Sequence, residues 1–425
     1  MEPHEKTSEW DSLLVRYQMV RQKTEELVAP LVIEDYGVQT MADVSPPKWH
    51  LSHTTWFFET FVLAPTGVPQ FHPHYRYLFN SYYETVGQFW PRNQRGWLSR
   101  PTVAEVFVYR HAVDERIEKM LRGLSSEDFR DILPTVVLGL NHEQQHQELL
   151  LTDILYNFSV NPLKPLYRET RLGDKSPPPE AQWISFAGGL QPIGYDGRGF
   201  CFDNETPRHQ EWLDPYQLQD RLVTNEEFLA FMTDGGYENP ALWLSAGWQM
   251  VQEFGWKAPL YWSFEDGEWC EFSLGGMRPI SWNGPVQHVS YFEADAYARW
   301  AGARLPRESE WEVAAGSVSV DEGTFLDSRR LTPNAVKGAT DGRLRQMFGE
   351  LWQWTQSSYS PYPGYYPTSG ALGEYNGKFM SGQQVLRGGS CVTPADHIRP
   401  TYRNFFPPNA RWQFSGIRLA RDAHD

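Results

Sequence analysis

A proline-free run from Thr135 to Ser159 carries Asn141-His142-Glu143-Gln144-Gln145-His146-Gln147-Glu148, with Val136-Val137-Leu138-Gly139-Leu140 before it and Leu149-Leu150-Leu151 after it. A stretch this long and apolar predicts a single helix. On that helix His142 and His146 lie four residues apart, one turn along the same face, where two imidazoles can grip one metal ion. Glu148 is six positions from His142, about 240° round the axis at 3.6 residues per turn, and does not complete the site. A third ligand has to come from another element.

Two readings of this stretch compete at this point. The letters of His142-Glu143-Gln144-Gln145-His146 fit the HExxH pattern of zinc peptidases, with Glu143 as general base. Alternatively, two histidines simply occupy the polar face of an amphipathic helix. The common zinc peptidases take a third ligand further along the chain. Here the next His or Glu after Glu148 is Glu169, beyond a Pro-containing exit from the helix.

The rest of the chain narrows the class. Its 425 residues suffice for two or three domains. A net charge of −15 without a Lys/Arg block argues against nucleic acid or an anionic membrane as partner. Neither a signal-peptide core nor a membrane-spanning apolar run is expected. Cys201, Cys270 and Cys391 are far apart and odd in number, which fits a reducing cytoplasm without a disulfide framework.

Trp10, Leu13, Tyr17, Val20, Thr24 and Leu27 recur at helical spacing and predict a first helix over about 8–29. Ser45-Pro46-Pro47 reads as the start of a second, with Ser45 as the capping hydroxyl. On it Trp49, His53, Trp56, Phe57 and Thr60 share a face, so His53 looks inward while His50 points elsewhere. An inward His beside a site lacking a ligand is the natural third donor if a bundle brings the faces together. Thr102 and Glu105 form a capping box for a third helix, and the His142 helix is the fourth. Past Phe158 the texture changes to Asn161-Pro162 and Ser176-Pro177-Pro178-Pro179, then to short strands, Gly turns and Trp. Helices are expected at about 291–302 and 307–315. The expected organisation is a helical bundle over 1–160, a linker over 161–182 and an irregular α+β domain over 183–425.

That second domain carries a resemblance. Phe186-Ala187-Gly188-Gly189, Asp203-Asn204-Glu205-Thr206-Pro207-Arg208-His209, Val223-Thr224-Asn225-Glu226, Pro285-Val286-Gln287-His288-Val289-Ser290, Arg304-Leu305-Pro306-Arg307-Glu308-Ser309-Glu310-Trp311, Gly349-Glu350-Leu351-Trp352-Gln353-Trp354-Thr355, Leu386-Arg387-Gly388-Gly389-Ser390 and Gly416-Ile417-Arg418-Leu419 resemble, in order, the signature blocks of the formylglycine-generating-enzyme (sulfatase-modifying-factor) superfamily. The resemblance implies a C-type-lectin-like fold. Formylglycine-generating enzymes carry copper-binding cysteines three and eight residues after the Ser of the last Arg-Gly-Gly-Ser block. Thr393 and Ile398 stand there instead, which argues against that activity.

Within the superfamily, Ser45-Pro46-Pro47-Lys48-Trp49-His50-Leu51-Ser52-His53 and His142-x3-His146-x-Glu148 resemble the DinB-type bundle of the sulfoxide synthases of ergothioneine biosynthesis, which carry a lectin-like second domain of this kind. This resemblance implies that His53, His142 and His146 hold one non-haem iron(II), and that hercynine (trimethylhistidine), a thiol and O2 are the substrates. Three imidazoles on one face of the ion leave three positions open, as many as a thiolate, an imidazole and dioxygen require. It further implies Gln145, Asn404, Phe405 and Phe406 as contacts to hercynine, whose trimethylammonium is recognised by aromatic faces. Arg92 and Arg95 match the pair that clamps the thiol's carboxylate. Family members using γ-glutamylcysteine carry an acidic residue two positions after the Asn and an Arg six after it. Phe406 and Ala410 replace them here, which favours plain cysteine as donor. Oxygen activation consumes a proton, and Tyr82 or Tyr83 is the expected source. Ovothiol-type or selenoneine-type synthesis, a zinc hydrolase and a non-catalytic lectin-like module are the competing functions.

Overall fold

The computed structural model describes residues 3–170, 179–336 and 341–423, so part of the expected 161–182 linker, residues 171–178, lies outside the described residues. The chain divides into two compact units: Met1–Tyr167 with Gly370–Leu372, and Arg168–Ser369 with Gly373–Asp425.

The first unit is built from α1 (Pro3–Val28), α2 (Pro47–Phe58), the single turn α3 (Tyr75–Leu78), α4 (Val103–Gly123) and α5 (Ser126–Val160). Helix α5 spans 35 residues, starting well before the proline-free run and continuing through Pro134. Its first turn is closed by Ser125, whose hydroxyl accepts from Asp128 N. The capping box predicted for α4 is present, Thr102 and Glu105 satisfying one another's backbone donors. Helices α1, α2, α4 and α5 pack around one core, with Leu13, Tyr17, Trp56, Phe57, Val106, Val113, Val136 and Leu140 inside.

Helix α2 is the innermost element: every residue from Pro47 to Phe58 is buried. It runs directly into a π-helical turn, Glu59–Leu63. The close approach of α2 to α5 depends on Gly139, where an added Cβ would sit 2.6 Å from the Phe58 ring and 3.0 Å from that of Phe57. The expected Ser45 cap does not form. Pro46 is the N-cap, with no side-chain cap bond; the Ser45 N–H donates to Asp153 Oδ2 and its hydroxyl accepts from Arg95 Nη1.

In the second unit the chain runs β1 (Trp183–Phe186), β2 (Gly189–Ile193), β3 (His209–Leu213), β4 (Tyr216–Gln219), α6 (Asn225–Thr233) and α7 (Ser245–Phe254). It continues with β5 (Trp262–Glu265), β6 (Glu268–Ser273), β7 (Gly276–Pro279), α8 (Tyr291–Trp300) and α9 (Glu308–Ala315). Last come β8 (Trp352–Ser358), β9 (Gln384–Arg387), β10 (Asn404–Phe406), β11 (Ser415–Gly416) and β12 (Ala420–Asp422). The sheets have orders β1-β4-β12, β10-β9-β8-β11, β2-β3 and β5-β6-β7.

The blocks quoted from the sequence serve this core. Gln353 Oε1 accepts from both Trp311 Nε1 (2.8 Å) and Arg418 Nε (2.7 Å), and Arg387 is buried against Glu308 and Glu312. Gly388 has φ +104°, and a Cβ there would lie 2.5 Å from Met347 O. Cys391 is wholly buried. Among the described residues no helix is long and apolar enough to cross a membrane.

Candidate metal centre

His53 from α2 and His142 and His146 from α5 converge so that one ring nitrogen of each lies within 4.8 Å of the others. Among the described residues no other group of three His, Cys, Asp or Glu side chains is so placed. His53 and His142 are buried and His146 is half-buried. Burial pushes all three imidazoles below their ordinary pKa, His142 to about 3, and for His53 and His146 the neighbouring His142 adds to the effect. All three are therefore neutral, the form with a lone pair to give to a metal.

Hydrogen bonds fix which nitrogen carries that lone pair. His53 Nδ1 lies 2.6 Å from Phe79 O, and a carbonyl only accepts, so Nδ1 carries the proton. Its Nε2 is buried with no hydrogen-bond partner among the described residues. A buried unsatisfied nitrogen is unfavourable unless something else claims it. This orphaned atom, facing two further neutral imidazoles, fits a divalent transition metal held by nitrogen donors.

The surroundings of His53 form a continuous pile of planar groups. The Arg95 guanidinium carbon is 3.3 Å from the Trp49 ring centroid, Trp49 stacks on His53 at 4.5 Å, and His53 stacks on Trp56 at 5.5 Å. Arg95 is buried, donating from Nη1 to Ser45 Oγ (2.9 Å) and from Nη2 to Ser81 Oγ (3.1 Å). It has no carboxylate partner among the described residues. Burial first, and then the charge of Arg92, push it well below the ordinary arginine pKa. Arg92 itself is exposed and donates to Asp43 O.

Tyr83 is fully buried against Trp56 (5.6 Å) and Phe61 (5.2 Å), with half-buried Tyr82 stacked on it at 4.7 Å. The structure thus brings Arg95, the three histidines and Tyr83 onto a single aromatic assembly. Gln145 is half-buried on α5, one residue before His146. Asn404, Phe405 and Phe406 belong to the second unit, half-buried on β10. Asn404 Oδ1 accepts from Phe405 N (2.9 Å), and one face of Phe405 is taken by Tyr359 at 4.1 Å.

Two features escape a reading by helical faces. His50 does not point away: it is buried, with Nδ1 2.9 Å from His146 Nδ1 and Nε2 2.9 Å from Asp153 Oδ2. The reason is that α2 is enclosed on all sides and so has no outward face. Asp153 was detectable, since it follows His146 by seven residues, two turns along the same face of α5.

The second is Glu143. Its carboxylate faces away from the triad into a buried knot, accepting from Arg21 Nη1 (2.8 Å), Arg110 Nη2 (2.5 Å) and Thr24 Oγ1 (2.7 Å). Burial alone would raise it, but Arg110 and Arg21 outweigh burial and hold it at about 2. A carboxylate so committed is no general base, which removes the zinc-peptidase chemistry of the HExxH letters.

The comparisons with known proteins agree with this architecture. The model of the DinB superfamily matches residues 16–150, and that of the sulfatase-modifying factor enzyme 1-like domain matches 170–423, more than half of the chain. A hercynine oxygenase of Mycolicibacterium smegmatis is 36% identical over 312 residues, covering 67% of this chain and 71% of the relative. One of Mycobacterium tuberculosis is 38% identical over 240 residues, 52% of this chain and 56% of the relative. A formylglycine-generating enzyme of Streptomyces coelicolor is 30% identical over 282 residues, 53% of this chain and 84% of the relative. With a helical DinB unit, a sulfatase-modifying-factor unit and this degree of identity, the chain belongs to the hercynine oxygenase family, the sulfoxide synthases of ergothioneine biosynthesis.

Proposed function

We propose that the protein is an iron(II)- and O2-dependent synthase that joins cysteine to an imidazole carbon of hercynine as a sulfoxide. The observation that carries this reading is the convergence of three neutral imidazoles, two buried and one half-buried, in a chain of this family. His53, His142 and His146 would hold the iron, which when bound supplies sites for the thiol, the imidazole and dioxygen together. The chain's own residues bind and orient. Arg95 presents a fork of donors from a buried, pre-stacked position, suited to the thiol's carboxylate, with Arg92 beside it on the same short helix, Arg92–Trp97. Gln145, Asn404, Phe405 and Phe406 are assigned to hercynine, and Tyr82 or Tyr83 to the proton that oxygen activation consumes.

The choice of cysteine rests on Phe406 and Ala410, which replace the acidic residue and the Arg associated with γ-glutamylcysteine. The test is anaerobic loading with iron(II), followed by oxygen uptake and product mass with hercynine plus cysteine, with γ-glutamylcysteine and unmethylated histidine as comparators. Uptake with hercynine and cysteine supports the reading. Uptake only with histidine would place the protein with the ovothiol-type synthases, and none with any pair would overturn a synthase altogether.

A further inference from the structure

We infer that His50 and Asp153 are a positioning pair that fixes the tautomer of His146 and so presents His146 Nε2 to the metal. The inference rests on the metal-binding reading of the triad and adds two residues to it.

The argument is one of hydrogen-bond polarity. Asp153 Oδ2 already accepts from Ser45 N at 2.7 Å, and it is 2.9 Å from His50 Nε2. An ionised carboxylate can only accept, so His50 Nε2 carries a proton. Neutral His50 then has a lone pair at Nδ1, directed at His146 Nδ1 2.9 Å away. Two lone pairs cannot face one another at that distance, so His146 Nδ1 carries the proton and Nε2 is left as the donor atom. The opposite polarity needs either a doubly protonated His50 or a protonated Asp153, and in both cases His146 is protonated on Nε2, which abolishes its use as a ligand. The carboxylate–imidazole–imidazole chain therefore has one arrangement compatible with metal binding.

The geometry is also built rather than incidental. His50 is 2% exposed and Asp153 4% exposed, and they sit on the same two helices, α2 and α5, that carry the triad. His53 reaches the same state, Nδ1–H bonded and Nε2 available, through the Phe79 carbonyl. His146 has an imidazole where His53 has a backbone acceptor. Hydrogen-bond partners of this kind orient metal-ligating histidines and raise their basicity, and their loss weakens metal affinity about 10- to 100-fold.

The test uses the full-length protein and cobalt(II), titrated without oxygen against a competing chelator, with visible absorption reporting the donor set. His50→Phe keeps a ring but removes the acceptor; His50→Asn places an amide oxygen close to where Nδ1 stood. We expect His50→Phe to weaken cobalt binding about 10- to 100-fold with a changed absorption spectrum, and His50→Asn to recover most of the affinity. Independently, long-range 1H–15N spectra of metal-free wild-type protein labelled at histidine nitrogens should show His146 protonated on Nδ1, assigned with a His146→Asn control. Protonation on Nε2 overturns the inference even if His50→Phe fails to fold. Tight cobalt binding by wild type with unchanged affinity in folded His50→Phe overturns the positioning pair alone. No binding by wild type overturns the metal reading beneath it.

Discussion

Replacing Arg95 by Met should separate thiol recognition from folding. In the protein without substrate this guanidinium is buried, bonded to two hydroxyls and stacked on Trp49. Burying such a charge costs several kcal/mol. The stack returns about 2 kcal/mol where it is desolvated, and each hydroxyl bond to a charged group about 1.5–3 kcal/mol. These opposing contributions come close to cancelling, and Met fills a similar volume, so Arg95→Met should change the stability to urea by no more than about 1 kcal/mol. Substrate binding should respond quite differently. Losing a charged hydrogen-bond donor to the thiol's carboxylate removes about 1.5–3 kcal/mol, which is a roughly 10- to 150-fold rise in KM for cysteine. Cysteamine, the same thiol without the carboxylate, supplies the other arm of a cycle. Wild type with cysteamine should resemble Arg95→Met with cysteine, and the variant should treat the two thiols nearly alike. An unchanged KM for cysteine, or an equal loss with both thiols, would refute the assignment of Arg95 to the carboxylate.

Three other outcomes are expected from the same structure. Glu143→Gln leaves Arg21 and Arg110 buried without their shared anion and should cost about 3–5 kcal/mol in urea unfolding, read by tryptophan fluorescence; a loss under about 1 kcal/mol would show the knot to be solvated. Glu350 is raised by burial from 4.5 to about 7, so unfolded chains ionise first as pH rises, and the fold should lose about 3 kcal/mol between about pH 4.5 and 7. Glu350→Gln should flatten that decline in urea midpoints measured across the range, and an unchanged slope contradicts the shift. Changing Tyr82 and Tyr83 together to Phe should depress sulfoxide formation strongly while cobalt binding, which uses the three histidines and neither tyrosine, is retained; a wild-type rate would remove both from proton supply.

Much of the triad could be read from the letters because it obeys helical periodicity. His142 and His146 sit four apart in an unbroken apolar run, and His53 lies on an aromatic stripe. Where a helix is enclosed on every side, periodicity no longer discriminates. Helix α2 is buried all round, so its sequence gives no inner and outer side, and the outward face expected for His50 does not exist. Ser45 had the letters of a cap, but Arg95 and Asp153, respectively 50 and 108 residues away, compete for its polar groups. Glu143 matched a catalytic motif whose meaning depends on partners in α1 and α4. In the second unit the ordered signature blocks indicated the fold, yet the strands are short and pair at long range, β4 with β12 for instance, which no local pattern reports.

The Glu143 knot also bears on how the triad can change. Helix α5 carries His142 and His146 toward α2 on one face and the knotted carboxylate toward α1 and α4 on another. Shifting α5 by a single residue would advance it about 1.5 Å and turn it about 100°. Such a screw motion would withdraw Glu143 from two guanidinia just as it carried His142 and His146 away from His53. The ion cluster thus works as an indexing pin that, together with the close approach at Gly139, holds α5 in the register that turns His142 and His146 toward His53. Substitutions in the knot should therefore be felt as altered spacing of His53, His142 and His146, although no side chain of the knot belongs to that triad.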